Sequence, residues 1–390
     1  MSGIDYYKQF CCGCGLCHSE QNVQILESDS FREPQLGSEN FEFCKKYCFA
    51  SINSGKEDWI QGPWGLYNAL SYGYSTDESV KKQASSAGVL TAVCSYLLDT
   101  KMVDAIIHIG ADDAKPWRTK VCVSTNVDEV VSNCGSRYAQ SSPLSNISEI
   151  CEKDKKYAFV GKPCDVSVLK NYQVDGHFPE IILLLSFFCA GVPSEKANIT
   201  LIDELGCSTQ NCAELRYRGN GWPGRAMAVS KDGKSNSMNY QESWGKILGR
   251  DIRKICRFCL NGTGEAADIS CGDAWYLDNN GEPDFTDGAG RNVVFGRTEK
   301  GNEVLIQAEK QKYIKLERDS SIADQLLLMQ PYQYERKGTM IDKVIAMKLF
   351  FRKCPNSNIR TLLKIKTNVK AKRHYMIFRG TIGRILRKRI

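Results

Sequence analysis

The sequence predicts an α/β chain in three parts: a small cysteine-rich N-terminal unit (residues 1–62), a mixed-sheet domain (63–338) and a basic helical extension (339–390). Three observations carry this reading. Short apolar or β-branched runs alternate with longer helical patterns from about residue 64 to about 335. Cysteines crowd the N-terminal stretch, which is short of periodic apolar pattern. The stretch from Lys343 to Ile390 carries fifteen Lys or Arg and no Asp or Glu. With 390 residues, 42% of them hydrophobic and 25% charged, the chain is long enough for two or three compact units.

The N-terminal unit comes first. Eighteen cysteines imply either a disulfide framework or metal ligation. MSGIDYYKQF lacks a charged segment followed by an apolar one, so no secretory signal is read there, and a cytoplasmic, reducing location is expected. No apolar run reaches the roughly 20 residues of a membrane span. Clustered thiols then favour metal. Cys11, Cys14 and Cys17 stand at C-x2-C-x2-C spacing, which lets one tight loop cap three irons of a 4Fe–4S cube. Gly13 and Gly15 permit the positive backbone dihedrals such wrapping demands. A bacterial ferredoxin would place its fourth cysteine at position 21, where this chain has Gln21. The fourth thiolate is therefore expected from Cys44 or Cys48. Four thiolates also suit structural zinc, but zinc sites usually pair two C-x2-C arms. Cys12 is out of register and reads as a non-ligand.

In the middle domain, helix signals cover Gly88–Asp99 and Ser194–Leu205, and strand signals cover Val103–Ile109, Tyr157–Val160, Ile181–Phe188 and Asn292–Phe295. Gly161-Lys162-Pro163-Cys164 and Cys189-Ala190-Gly191 follow two of these strands. Ligands of open α/β sheets bind beyond strand carboxyl ends, so cysteines placed there can converge. Cys256 and Cys259 form a C-x2-C pair, which supplies two ligands of a closed site and leaves two to be recruited. Ser85-Ser86-Ala87-Gly88 precedes an apolar helix, an arrangement that offers backbone N–H groups to a phosphate, although a lone serine cap would look the same.

These segments together resemble the coenzyme F420 hydrogenase/dehydrogenase beta-subunit family. The resemblance rests on KQASSAGVLTAVCSYLLD, GSRY (Gly135 to Tyr138), GKPC, FFCAG, RGNGWPG (Arg218 to Gly224) and CRFC followed by ADISCGDAW, in that order. It runs from about Cys11 to about residue 330. It implies an iron–sulfur flavoprotein oxidoreductase, similar to the deazaflavin-reducing hydrogenase subunit and to hydroxymethyl-chlorophyll a reductase. The resemblance makes the first part a ferredoxin-like iron–sulfur unit and the second a flavin-binding domain, with two 4Fe–4S clusters and FAD. Carried over by motif, one cluster falls to Cys164, Cys189, Cys256 and Cys259, and Cys48 completes the other beside Cys11, Cys14 and Cys17. The flavin falls to Ser85, Ser86, Gly88, Gly135, Ser136, Tyr138, Gly161, Lys162, Pro163, Gly221, Trp222 and Gly224. The sequence departs from the family pattern in Cys48-Phe49-Ala50, where CPG is usual, and in Ala87, where a second glycine is usual.

The resemblance also implies partners: a ferredoxin or other redox subunit as donor, and a small organic acceptor or coenzyme F420 as substrate. A non-catalytic electron-transfer subunit is the alternative, and a zinc-stabilised binding protein stands behind it. No general acid is read from the sequence; Arg137, Lys162, Arg225 and Asp273 sit in the right motifs without an assigned role. In the tail, Tyr375, Phe378, Ile382, Ile385, Leu386 and Ile390 recur at roughly helical spacing among arginines. A basic amphipathic helix of this kind lies on an anionic membrane surface or packs on an acidic body, and the two expectations stand level. Removing the tail's charge from totals of 52 basic and 45 acidic side chains leaves the rest of the chain at −8. Specific nucleic-acid binding is not expected, because no recognised module accompanies the charge.

Overall fold

The computed structural model describes residues 3–52, 62–356, 358–365 and 367–387. Its centre is an eight-stranded mixed sheet, whose strands in chain order are β1 (Ala69–Ser75), β2 (Ala105–Ala111), β3 (Thr119–Ser124), β4 (Tyr157–Gly161), β5 (Ile181–Phe187), β6 (Ile269–Asp273), β7 (Asn292–Gly296) and β8 (Ile314–Glu317). Across the sheet they run β8-β1-β7-β6-β5-β4-β2-β3. The neighbours β2, β4, β5 and β6 are parallel, and every other pairing is antiparallel.

The four strands expected from apolar runs appear as β2, β4, β5 and β7, and the two expected helices as Val89–Asp99 and Glu195–Glu204. The unexpected strands have weaker patterns. β1 reads ALSYGYS and β6 reads ISCGD, each diluted by glycine and serine, while β8 is a four-residue edge strand. A separate three-stranded antiparallel sheet, Cys212–Arg216, Ala226–Ser230 and Ser235–Met238, also lacked a run long enough to announce it.

Alternate strand residues serve two cores, as the pleat requires. Ile106, Ala158, Leu183 and Leu185 pack with Val93 and Leu97 of the Val89–Asp99 helix and with Val304 and Leu305 of the helix Glu299–Lys310. Ala105, Ile107, Tyr157 and Phe159 join a second core with Val166 and Leu169 of the helix Pro163–Gln173. That core also takes in Phe10 and Leu16 from the N-terminal segment and Met340, Val344, Met347, Leu362 and Ile385 from the C-terminal one. The cysteine-rich segment therefore has apolar packing of its own to offer, though its anchors are too scattered in sequence to read as periodic. Truncating the fully buried Phe159 to alanine would cost about 3–5 kcal/mol.

The tail helix Ala371–Leu386 lies against the helix Met340–Leu349. Thr381 and Ile385 are buried between them, and Arg373 pairs with Glu335 (2.8 Å) and His374 with Asp342 (2.7 Å). Of the expected apolar pattern, Ile385 turns inward, Phe378 and Ile382 are half-buried, and Tyr375 and Leu386 are exposed. Lys388, Arg389 and Ile390 lie outside the described residues. Among the described residues no helix is long and apolar enough to cross a membrane.

Candidate functional site

The parallel strands deliver their loops to one edge of the sheet. β4 ends at Gly161, with Lys162 and then Pro163 and Cys164 opening the next helix; β5 ends two residues before Cys189; β6 ends at Asp273. Asn292 of β7 pairs with Asp273 on one side and Gly73 of β1 on the other, so the loop leaving β1 toward Ser85–Gly88 starts from the same edge. This is the edge where open α/β sheets hold ligands.

Cys164, Cys189, Cys256 and Cys259 gather there. Each of the thiols of Cys189, Cys256 and Cys259 is raised by its neighbours in the group, Cys164 included, and burial, the larger cause, pushes all three up to about 12. Cys164 is raised well above an ordinary thiol, first by its contact with Cys12 and then by burial. Arg336, buried, stands beside the group: burial lowers its pKa, but Cys259, Cys189, Cys256 and Tyr332 outweigh this and raise it. Gln333 ties that arginine to the site, accepting from Arg336 Nη2 (2.6 Å) and donating to the Cys189 carbonyl (3.2 Å).

Cys11, Cys14 and Cys17 form a second group. Gly13 and Gly15 adopt φ of 80° and 89°, the left-handed region the sequence reading required. The space beside them is filled: a Cβ on Gly13 would lie 3.1 Å from the Arg253 guanidinium, and one on Gly15 would lie 2.9 Å from the Ser145 nitrogen. Cys44 lies on the helix Phe41–Tyr47 and Cys48 caps it, donating its N–H to the Cys44 carbonyl at 3.0 Å. Cys44 raises the thiols of Cys11 and Cys17, whereas Cys48 is itself raised by Cys14 and Cys11. Burial pushes Cys17 up to about 12. A contact between the Cys44 and Cys48 side chains lowers the former and raises the latter.

The Cys12 side chain bridges the two groups, contacting Cys14 in this loop and Cys164 in the inner group. Its sulfur, that of Cys164 and a carboxylate oxygen of Asp165 all lie within 4.8 Å of one another, so the two groups adjoin. All eighteen cysteines are free. Among the described residues no three thiols of either quartet lie within 4.8 Å of one another, so the two adjoining sets of unpaired thiols are spaced too widely for a single thiolate-bound ion and have the donor chemistry of a larger iron–sulfur cluster.

The small-residue loop is held by contacts the sequence did not announce. Asn292 Oδ1 accepts from the N–H groups of Ala87 and Val89, both at 3.3 Å, and Ser85 Oγ accepts from the Ser136 N–H at 2.6 Å. Ser86 Oγ donates to the Arg291 carbonyl (3.1 Å). Among the described residues, the N–H groups of Ser85, Ser86 and Gly88 donate to no protein acceptor. They are free for an anionic ligand at the start of an eleven-residue helix. Gly221 donates to the Lys82 carbonyl (3.2 Å), which brings the RGNGWPG loop against this segment, and Gly224 packs where a Cβ would meet the Gly219 nitrogen at 2.5 Å. Gly135 adjoins Ser136, and a Cβ on it would lie 3.9 Å from the Arg216 guanidinium.

Several expected side chains are already engaged inside the chain. Lys162 Nζ, buried, donates to Asp165 (2.7 Å) and Ser141 (2.6 Å). Burial lowers its pKa and Asp165 more than restores it. Arg137 donates to the carbonyls of Leu215, Pro116 and Arg118, and Tyr138 packs on Tyr217 and Trp244. Arg225 is exposed and donates to Ser237. Asp273 accepts two bonds from Arg218 (2.9 and 3.0 Å) and a third from Trp222 Nε1 (3.2 Å). Trp222 stacks on Trp275 at 4.7 Å, and Arg218 lies over the rings of Tyr240 and Trp275. Sequence reasoning singled out none of Arg218, Trp275, Asn292, Arg253 or Arg336 for a role. Arg218 and Trp275 stood inside the quoted motifs, while the other three carry no local signal.

Residues 70–148 match the family described as coenzyme F420 hydrogenase/dehydrogenase, beta subunit N-term, and residues 154–321 match its C terminus. The chain is 23% identical over 283 residues to coenzyme F420 hydrogenase subunit beta of Methanococcus voltae, covering 70% of this chain and 93% of that one. It is 26% identical over 263 residues to the F420-dependent formate dehydrogenase subunit beta of Methanocaldococcus jannaschii, covering 65% of this chain and 62% of that one. The coenzyme F420-dependent sulfite reductase of the same organism is 24% identical over 327 residues, which is 79% of this chain and 47% of that one. A chain of the F420-reducing [NiFe] hydrogenase complex from Methanosarcina barkeri shares the fold, with a TM-score of 0.58 and 22% identity over 75% of this chain and 97% of that one. Cys164, Cys189, Cys256 and Cys259 fall inside the matched residues; the N-terminal cysteines and the basic tail fall outside them. The chain belongs to the coenzyme F420 hydrogenase/dehydrogenase beta-subunit family.

Proposed function

We propose that this chain is an iron–sulfur flavoprotein oxidoreductase that works as the electron-transferring subunit of a larger redox enzyme. The observation that carries the reading is the assembly of two adjoining thiol groups at the sheet edge that also bears the small-residue loop. Cys164, Cys189, Cys256 and Cys259 would hold one 4Fe–4S cluster, and Cys11, Cys14, Cys17 and Cys48 the other. The free amides of Ser85, Ser86 and Gly88 would take the flavin's phosphates. Bound together, these groups exchange electrons one at a time with a carrier and in pairs with an organic acceptor or a deazaflavin.

The chain's own residues prepare this site. Arg336 places a positive charge beside the inner thiols, which favours their thiolate form. The Lys162–Asp165 pair anchors the helix that presents Cys164. Asn292 shapes the loop by capping Ala87 and Val89. The relatives are named as subunits, which supports a role inside a complex. Anaerobically purified protein is expected to contain iron, acid-labile sulfide and FAD, and to reduce or oxidise coenzyme F420 when given a redox partner. Zinc without iron or flavin would sink the reading. Full cofactor loading with no turnover of any acceptor would leave the non-catalytic electron-transfer alternative.

A further inference from the structure

We infer that the tail helix completes a basic docking cleft for an acidic electron-carrier protein, placed over the outer thiol group. This inference rests on the proposed function above. The cleft, about 1230 Å³, runs between the tail helix and the segment Gly249–Arg257 and reaches Cys11. Lys8, Lys254, Arg257, Arg379, Arg384 and Arg387 line it. Among the described residues none of these six forms an ion pair with a carboxylate. Of the two acids that line it, Asp251 accepts from the Ser194 hydroxyl at 2.6 Å. Burial and the nearby Arg257 both lower the pKa of Arg384, the mark of cations crowded without a counter-charge. Such a cluster opposes folding unless something negative occupies it.

The occupant follows from shape and position. A flat anionic membrane meets a convex or planar face, whereas these cations line a concavity that admits a protruding acidic surface. The concavity reaches Cys11, so an occupant there stands next to the outer thiol group. A small acidic protein with a one-electron centre fits: on each encounter one electron would leave the reduced carrier and enter the outer cluster, with no bond made and no proton moved. Half of these cations, Arg379, Arg384 and Arg387, come from the tail, which lies outside the family-matched residues, whereas Lys254 and Arg257 lie inside them.

The test uses the full chain, anaerobically prepared, with an acidic bacterial-type ferredoxin as probe. Binding is measured at low and at raised salt, and iron and flavin contents are determined on the same samples. The variant Arg379→Glu/Arg384→Glu/Arg387→Glu is expected to bind at least about tenfold more weakly, with most of the salt dependence gone, while Lys310→Glu on a remote exposed helix changes little. Equal binding by both variants, or binding indifferent to salt, would overturn the cleft. So would failure of a fully loaded wild-type chain to bind ferredoxin while pelleting with phosphatidylserine vesicles through the same arginines. Absence of iron and flavin from the wild type would instead bring down the functional reading and the docking with it.

Discussion

The two thiol groups solve one chemical problem by different routes. Three members of the outer group lie within a seven-residue loop, whose wrapping is enforced by Gly13 and Gly15, and its remaining candidates sit on one nearby helix end. The inner group is drawn from the ends of β4 and β5 and from a turn nearly seventy residues beyond the latter. A buried arginine stands beside each, Arg336 by the inner group and Arg253 by the outer, and the outer group opens toward a cleft. Under the proposed function this difference would separate their roles: a site built from sheet loops would be set rigidly relative to the small-residue loop on the same edge, whereas a site built largely on one loop beside a cleft would suit exchange with a partner.

The largest expected effect would break the inner site. Cys259→Ser should halve the iron content and cost several kcal/mol of stability, because metal binding at a site spanning distant segments is also folding free energy. Cys17→Ser should halve the iron too, but lower the unfolding midpoint less. Equal midpoints for the two variants would show that the two groups contribute alike to the fold. Next in size, Cys48→Ser is expected to lose the outer iron, whereas Cys44→Ser keeps it and loses roughly 1–3 kcal/mol, since Cys44 is wholly buried and a serine hydroxyl there must find a partner. The reverse pattern would assign the ligand to Cys44.

A third comparison uses pH. Without metal, burial holds Cys17, Cys189, Cys256 and Cys259 protonated with pKa values near 12, so each gives up a proton when it binds iron. Lower pH therefore favours the metal-free form. Iron retention against a chelator should fall as pH drops from about 8 to about 6, and retention that does not respond to pH would argue against thiolate ligation. The smallest effect is electrostatic. Arg336→Gln removes a cation beside the inner group alone, and potentiometric titration should show that centre's reduction potential fall by something on the order of tens of millivolts while the outer one stays put.

Much of this was legible in the residues. Long apolar runs announced β2, β4, β5 and β7, because strands buried on both faces cannot tolerate polar interruption. The Cys11–Cys17 spacing and its glycines announced a wrapped loop, because the geometry lies within a few consecutive residues. β1 and β6 were hidden by glycine and serine, which their neighbours in the sheet make tolerable. Asn292, Arg253 and Arg336 were hidden for a different reason: each acts on residues far away in the chain, and no spacing rule reaches that far.

The sequence by itself determined the chemistry on offer: thiols in number, a phosphate-ready loop, a basic tail and the family motifs. Local backbone preference and side-chain type suffice for those. Only the tertiary structure decided that four of the thiols are brought near one another at one sheet edge, that Cys12 lies against Cys164, that Lys162 is matched by Asp165, and that the tail roofs a cleft beside Cys11. Those outcomes depend on parallel strand order and on burial in a shared core, which are properties of the whole chain rather than of any segment.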